Sequence, residues 1–326
     1  MGSDRRGAPI GGELDLERAW DLLSRLAARA GQGRPVADVV GLRVDRGELR
    51  EVAAADGWIV AQPDRPSGWS RPGEPASPAS APLARGPLEA MLDLYMPLCV
   101  GAGCHQLVVG HLAQSLDGRI ATESGASQFI SGQEDLEHAH RMRALFDAVV
   151  VGAGTVEKDD PRLTTRLVSG SHPTRVVIDP QRRLGGDYSV FRDGESPTLL
   201  VCAAGPDAAS AGEQHGHADL VTVECDASGL AIADILAALR ARGLTRIFIE
   251  GGGVTLSRFL AAGALDRLHV AVAPCILGSG RAAFSLPVIE QLSDAVVFEC
   301  RHFAMGPDIL FDCALRAGQP APDPAA

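Results

Sequence analysis

The sequence predicts an α/β fold with a largely parallel central sheet covered by helices on both faces. From Gln106 onward, apolar runs of strand length (LVVGHLA, DAVVVG, TRVVIDP, PTLLVCAAG, LVTVEC and RIFIEGG) alternate with helical segments. Repeated strand–helix–strand order builds parallel sheets, and runs that read as continuously apolar are strands buried on both faces. At the end of the chain, VVFECRHF and DILFDCAL stand close together as an antiparallel pair, which adds one antiparallel edge.

Taken in order, residues 13–30 (ELDLERAWDLLSRLAARA) place Leu16, Trp20, Leu23 and Leu26 at helical spacing, and Gly31 stops that helix. A strand or two follows through GWIVAQP. Between Pro63 and Pro87 the chain turns into Pro, Ser, Ala and Gly, a linker composition that buries no core. GPLEAMLDLYM reads as a short helix, and QEDLEHAHRMRALF as a longer one with Leu136, Ala139, His140 and Met142 to Leu145 near one face. SGLAIADILAALRARG and VTLSRFLAAG are two more helices, and LDRLHVAVAPCIL a strand. The expected division is 1–62 as an N-terminal helical and mixed segment, 63–105 as linker and short helix, 106–315 as the principal domain and 316–326 as a disordered tail.

With 46% hydrophobic residues, a chain of 326 residues has ample core. A net charge of -11 argues against a nucleic-acid surface, which needs clustered Lys and Arg. A small anion bound by local arginines stays compatible with it. The seven cysteines (Cys99, Cys104, Cys202, Cys225, Cys275, Cys300 and Cys313) are odd in number and contain no CxxC pair. They read as reduced thiols of a cytoplasmic protein. Cys99, Cys104 and His105 lack the further ligand a zinc knot needs. No apolar run reaches membrane-span length, and the polar N-terminus MGSDRRGAPIGG is not a signal h-region.

Three loops carry candidate chemistry. In HLAQSLDGRIATESGASQFIS, Asp117-Gly118 is a turn pair, and a plain turn accounts for it. In DAVVVGAGTVEKDDPRLTTR, Gly152, Gly154 and Thr155 follow a strand, but Glu157 stands where the third glycine of a dinucleotide fingerprint belongs. Arg162 and Arg166 after Asp159-Asp160-Pro161 suit either an anionic ligand or a solvated loop. In IFIEGGGVTL, an acid ends a strand and bare glycine backbone leads into a helix, with no Walker lysine. A phosphate cradle at a helix N-terminus and a glycine packing turn both fit that loop.

Taken together, SLDGRIA, SGASQFIS, GAGTVEKDDPRLTTR, RVVIDP, FIEGGGVTLSRFL and LDRLHVAVAPCILGSGR resemble, in order and spacing, the reductase domain of riboflavin-biosynthesis proteins. The likeness covers about residues 106 to 315. It implies a dihydrofolate-reductase-like three-layer α/β fold, a homodimer, and reduction of the ribosyl group of a pyrimidine ribosylamine 5′-phosphate to ribityl with NADPH. Carried over by matching motifs, the cofactor side comprises Ala113, Phe129, Thr155, Asp159, Gly252, Gly253, Val254, Thr255 and Leu256. The substrate side comprises His111, Ser127, Arg143, Leu163, Arg166 and Glu250. Arg143 and Arg166 would then hold the 5′-phosphate, with Glu250 facing the substrate. Asp159 and Glu250 are the candidates for orienting the proton the reaction needs, or structural residues.

Two positions depart from the family pattern: His111 stands where many members carry lysine, and Phe129 where they tend to carry tryptophan. A histidine weakens any contact made by a fixed charge. With the unfamiliar first hundred residues, it keeps open a pterin, dihydrofolate-like or natural-product substrate, or a nucleotide-binding regulatory protein without catalysis. No H-x-E followed by P-C-x-x-C occurs, so zinc deamination by that route is excluded.

Overall fold

The computed structural model describes residues 14–45, 48–63, 67–72, 86–100, 106–204, 214–226 and 229–315. The expected tail 316–326, most of the Pro-rich stretch, Cys104 and His105 lie outside them. The chain divides into two compact units, Met1–Cys104 and His105–Ala326.

The first unit contains α1 (Leu16–Gly31), β1 (Val40–Asp45), β2 (Glu48–Val52), β3 (Ile59–Ala61), β4 (Trp69–Ser70) and α2 (Pro87–Cys99). Its strands form an antiparallel sheet in the order β2-β1-β3-β4, more strand than the one or two expected. The Asp15 side chain accepts from Arg18 N at 2.9 Å and caps α1. Trp20, Leu22, Leu23 and Leu26 are buried, whereas Leu16, expected on that face, opens the helix and is 44% exposed. Trp20 meets Tyr95 edge-on at 6.0 Å between centroids, which packs α1 on α2. Trp69 Nε1 donates to Asp93 Oδ1 at 2.9 Å, satisfying both groups where they are buried.

The second unit runs β5 (Leu107–Ser115), β6 (Arg119–Ala121), α3 (Gln133–Leu145), β7 (Ala148–Gly152), α4 (Ala153–Asp159), β8 (Thr174–Ile178), α5 (Ser189–Arg192) and β9 (Thr198–Ala203). It continues through β10 (Gln214–His215), β11 (Ala218–Val223), β12 (Cys225–Asp226), β13 (Gly229–Leu230), α6 (Ile232–Arg240), β14 (Arg246–Glu250), α7 (Gly253–Ala261), β15 (Arg267–Ala273), β16 (Arg281–Ala282), β17 (Glu299–Met305) and β18 (Asp308–Ala314). Ten strands form one sheet in the order β10-β11-β9-β8-β7-β14-β5-β15-β18-β17. From β11 to β15 neighbours are parallel, and β18 and β17 close it as the expected antiparallel pair. The two-residue β10 adds an unexpected antiparallel edge on the other side.

Strand alternation divides the two faces. Val108, Leu112, Ile247 and Ile249 share an apolar cluster with Leu256, Phe259 and Leu260 of α7 and with Ile235 and Leu239 of α6. His111 and Glu250, of opposite parity, face α3. The result is three layers: helices, sheet, helix. β15 lies between β5 and β18, so the LHVAVAPCIL run is an interior strand whose backbone bonds are used on both sides, not a free edge.

Candidate active site

The ends of β5, β7 and β14 lie side by side, where ligands bind in an open α/β sheet. Beyond β14, Gly251 and Gly252 have φ of +70° and +67°, consecutive left-handed positions that side chains avoid. α7 then starts at Gly253 with no side-chain cap, leaving its first N–H groups to a ligand or solvent. The loop after β7 interlocks with this one: a Cβ on Gly252 would stand 3.0 Å from Thr155 Oγ1, and one on Gly152 would collide with the Thr255 hydroxyl. Both threonines are half-buried, and Val254 is exposed. Bare backbone donors, two hydroxyls and a helix N-terminus suit the diphosphate of a dinucleotide, and so the residues fit a nicotinamide cofactor.

Glu250 Oε2 accepts from Arg143 Nε at 2.7 Å, and Glu250 Oε1 accepts from Arg143 Nη2, which makes a two-pronged ion pair. Burial alone would raise the Glu250 carboxyl; the Arg143 guanidinium overrides it and holds the group below its ordinary range. Arg143 Nη1 donates to Thr164 O at 3.0 Å, so this guanidinium is committed to the protein. Arg166 is different. It is exposed, with Nη1 donating to Thr164 Oγ1 at 2.8 Å. Burial, then the like charges of Arg143 and Arg162, lower its guanidinium, which marks a corner that favours an anion. Its backbone N–H donates to His140 Nδ1 at 2.9 Å, and burial with Arg143 and Arg166 lowers that imidazole to about 4.

The structure therefore brings together His111, Arg143, Thr155, Arg166, Glu250, Gly252 and Thr255. Ala113 lies two residues beyond His111 on β5, and Leu163 is buried with φ of +58° just before Thr164. Ser127 and Phe129 lie in the loop before α3, Phe129 at 71% exposure. Asp159 is exposed at the end of α4, and desolvation raises it. Among the described residues no hydrogen bond ties the Ser127, Phe129 or Asp159 side chains to the others. Its neighbour Asp160 is the structural member of the pair, accepting from Ser189 N at 2.7 Å and Ser189 Oγ at 2.9 Å. The SLDG turn is more than a turn: Asp117 accepts from Ser115 Oγ at 2.5 Å, Leu277 N at 3.1 Å and Gly278 N at 2.7 Å. These bonds lower its carboxyl to about 2 and clamp the 277–278 loop to the end of β5.

A row of polar side chains, of which only Glu250 and His111 were expected from the sequence, crosses the sheet beneath the site. Glu250, His111, His269, Asp312 and Arg301 are direct cross-strand neighbours on β14, β5, β15, β18 and β17. Helix α3 covers three of them: Arg143 on Glu250, Asp135 Oδ1 at 3.0 Å from His111 Nε2, and His138 Nε2 at 3.0 Å from His269 Nδ1. His269 Nε2 lies 3.3 Å from Asp312 Oδ1, off the line of a good hydrogen bond. Asp312 also accepts from Arg267 and Arg301. Asp135, His138, His269 and Asp312 are all at most 2% exposed. The signal available in the sequence was the helical spacing of Asp135, His138 and Arg143 with the strand parity of His111, His269 and Asp312.

Comparison with known proteins agrees with this architecture. Residues 106–311 match the family model of the RibD C-terminal domain. The chain belongs to that family. It is 34% identical over 216 residues to the 2,5-diamino-6-ribosylamino-4(3H)-pyrimidinone 5′-phosphate reductase of Methanothermobacter thermautotrophicus, covering 64% of this chain and 98% of that protein. It is 35% identical over 169 residues to riboflavin biosynthesis protein RibD of Aquifex aeolicus, covering 52% of this chain and 46% of that one. The chain thus spans the archaeal relative but about half of the RibD relative. Among solved structures, a Thermotoga maritima deaminase/5-amino-6-(5-phosphoribosylamino)uracil reductase superposes with a TM-score of 0.56 at 28% identity, covering 65% of this chain and 57% of that one.

Proposed function

We propose that the RibD C-terminal domain of this chain is an NADPH-dependent reductase that converts the ribosyl group of a pyrimidine ribosylamine 5′-phosphate to ribityl. The observation that carries the reading is the match over 98% of an archaeal reductase of such a phosphate. The site supports it. NADPH, when bound, supplies the hydride for C1′ of the opened sugar. The glycine loop and α7 N-terminus would hold its diphosphate, with Thr155 and Thr255 beside it. Arg166 offers the 5′-phosphate its unused donors, and Arg143 contributes mainly by fixing Glu250. Glu250, 18% exposed and ionised, is poised to accept hydrogen bonds from substrate hydroxyls or amines. Being ionised, it orients the proton path to the departing ring oxygen instead of donating that proton itself.

The same reading includes a homodimer in the cytoplasm. Ile309 and Phe311 of β18, 47% and 37% exposed on the face away from the polar row, are an apolar patch that a second copy would cover. No helix of the described residues is long and apolar enough to cross a membrane. The reading is tested by incubating the full chain with NADPH and the ribosylamine phosphate. Oxidation of NADPH with a product two hydrogens heavier supports it; tight NADPH binding without turnover contradicts it.

A further inference from the structure

In the buried row, one carboxylate has no arginine within ion-pair distance among the described residues. Glu250 is neutralised by Arg143, and Asp312 by Arg267 and Arg301. Asp135, 2% exposed, has the His111 imidazole as its partner within ion-pair distance among the described residues, with the Ser131 hydroxyl as a further donor. A buried carboxylate facing a neutral imidazole would be left with its charge locally uncompensated.

We infer that Asp135 is a positioning residue of the site: it holds His111 as an imidazolium beside Glu250, so that the cation at this point of the active site is a titrating one. His111 is enclosed by Asp135, His138 and Arg143 from α3, Glu250 from β14 and His269 from β15. Two carboxylates face it, Asp135 in direct contact and Glu250 as its strand neighbour. Arg143 opposes the charge but is spent on Glu250. Burial lowers His138 well below its ordinary value, and His269 is lowered by burial too, so neither adds a competing charge. Burial also works against His111, yet the Asp135 carboxylate prevails and its affinity for the proton rises. Nε2–H then points at Asp135, and the row keeps three carboxylates each matched to a cation.

Two consequences separate positioning from simple structural support. As pH rises through the raised His111 value, the cation beside Glu250 vanishes, and activity falls on an alkaline limb that belongs to His111. Removing the Asp135 charge moves that limb to lower pH. The activity arm rests on the reductase reading above; the titration arm does not.

The experiment follows the ring C–H resonance of His111 by NMR, assigned by its loss in His111→Gln, through a pH titration of the full chain and of Asp135→Asn and Asp135→Glu. Wild type is expected to titrate above the ordinary 6.5. Asp135→Asn should lower the proton affinity at least tenfold and shift the alkaline limb of kcat/KM with it, and Asp135→Glu should restore both. His111→Lys, a fixed cation that keeps Asp135 paired, should lose the limb, and serves should Asp135→Asn fail to fold. An unshifted His111 titration in Asp135→Asn, or a limb that persists in His111→Lys, overturns the inference. Absence of turnover in wild type would sink the reductase reading while leaving the titration to decide the role of Asp135.

Discussion

Arg143 and Glu250, 107 residues apart in the chain, meet as a two-pronged ion pair at the end of β14, with the arginine 9% and the glutamate 18% exposed. Their geometry makes one residue the support of the other. Glu250→Gln leaves Arg143 largely buried beside a neutral amide, and removing one partner of such a pair costs about 3–5 kcal/mol. Urea denaturation should show a loss of that order together with loss of turnover. The apolar double replacement Arg143→Met with Glu250→Leu should recover most of the stability and none of the turnover. Recovery of both would remove Glu250 from the chemistry.

Arg166 is the complementary case, an exposed guanidinium with donors to spare. Arg166→Ala should raise KM for a phosphorylated substrate roughly ten- to a hundredfold, the value of a charge-assisted hydrogen bond of about 1.5–3 kcal/mol. Its unfolding free energy should change by no more than about 0.5 kcal/mol. Steady-state kinetics against the dephosphorylated substrate supply the control: wild type and variant should then converge.

The glycine loop yields a paired comparison. Gly252 and Gly263 have φ of +67° and +61°, and a side chain at Gly263 would meet nothing within 4 Å. Alanine at either position costs about 1–2 kcal/mol of backbone strain. Isothermal titration should find NADPH affinity reduced in Gly252→Ala, where the new methyl crowds Thr155, and preserved in Gly263→Ala. Equal affinities would place the cofactor elsewhere.

The order of strands and helices in the second unit was legible because each parallel strand is a continuous apolar run and each glycine loop interrupts it. The site loops were legible as motifs, but not their partnerships. The family resemblance implies Arg143 as a phosphate ligand, and only the fold shows its donors turned to Glu250 and Thr164. The polar row was hidden by the very rule that revealed the rest. Apolar periodicity put Leu136 on the inner face of α3 and left out Asp135 and His138, which are buried there and, like Arg143, matched to partners elsewhere in the chain. Buried polar groups satisfied by tertiary pairing leave no hydrophobic signature. In the first unit, short strands such as Trp69–Ser70 are too brief for any period to show.

Histidine burial sets the acid side of stability. His138, His140 and His269 are all lowered, chiefly by desolvation, so the folded state binds fewer protons than the unfolded chain below about pH 6.5. Their contribution is complete above that pH and is lost as pH falls toward the folded values, about 4 for His140. His111, raised, has the opposite sign: its contribution is complete below about pH 6.5 and is lost as pH climbs through its folded value. The urea midpoint should therefore drop on acidification, and His140→Gln should reduce that drop.

The central claim, hydride delivery to the sugar carbon at the end of β14, is tested most directly with NADPH carrying deuterium at the transferable C4 position and the pyrimidine ribosylamine 5′-phosphate. The account predicts a ribityl product with one deuterium at C1′, formed by wild type and abolished in Glu250→Gln. A product without deuterium at C1′, or NADPH that binds and is never consumed, would contradict it.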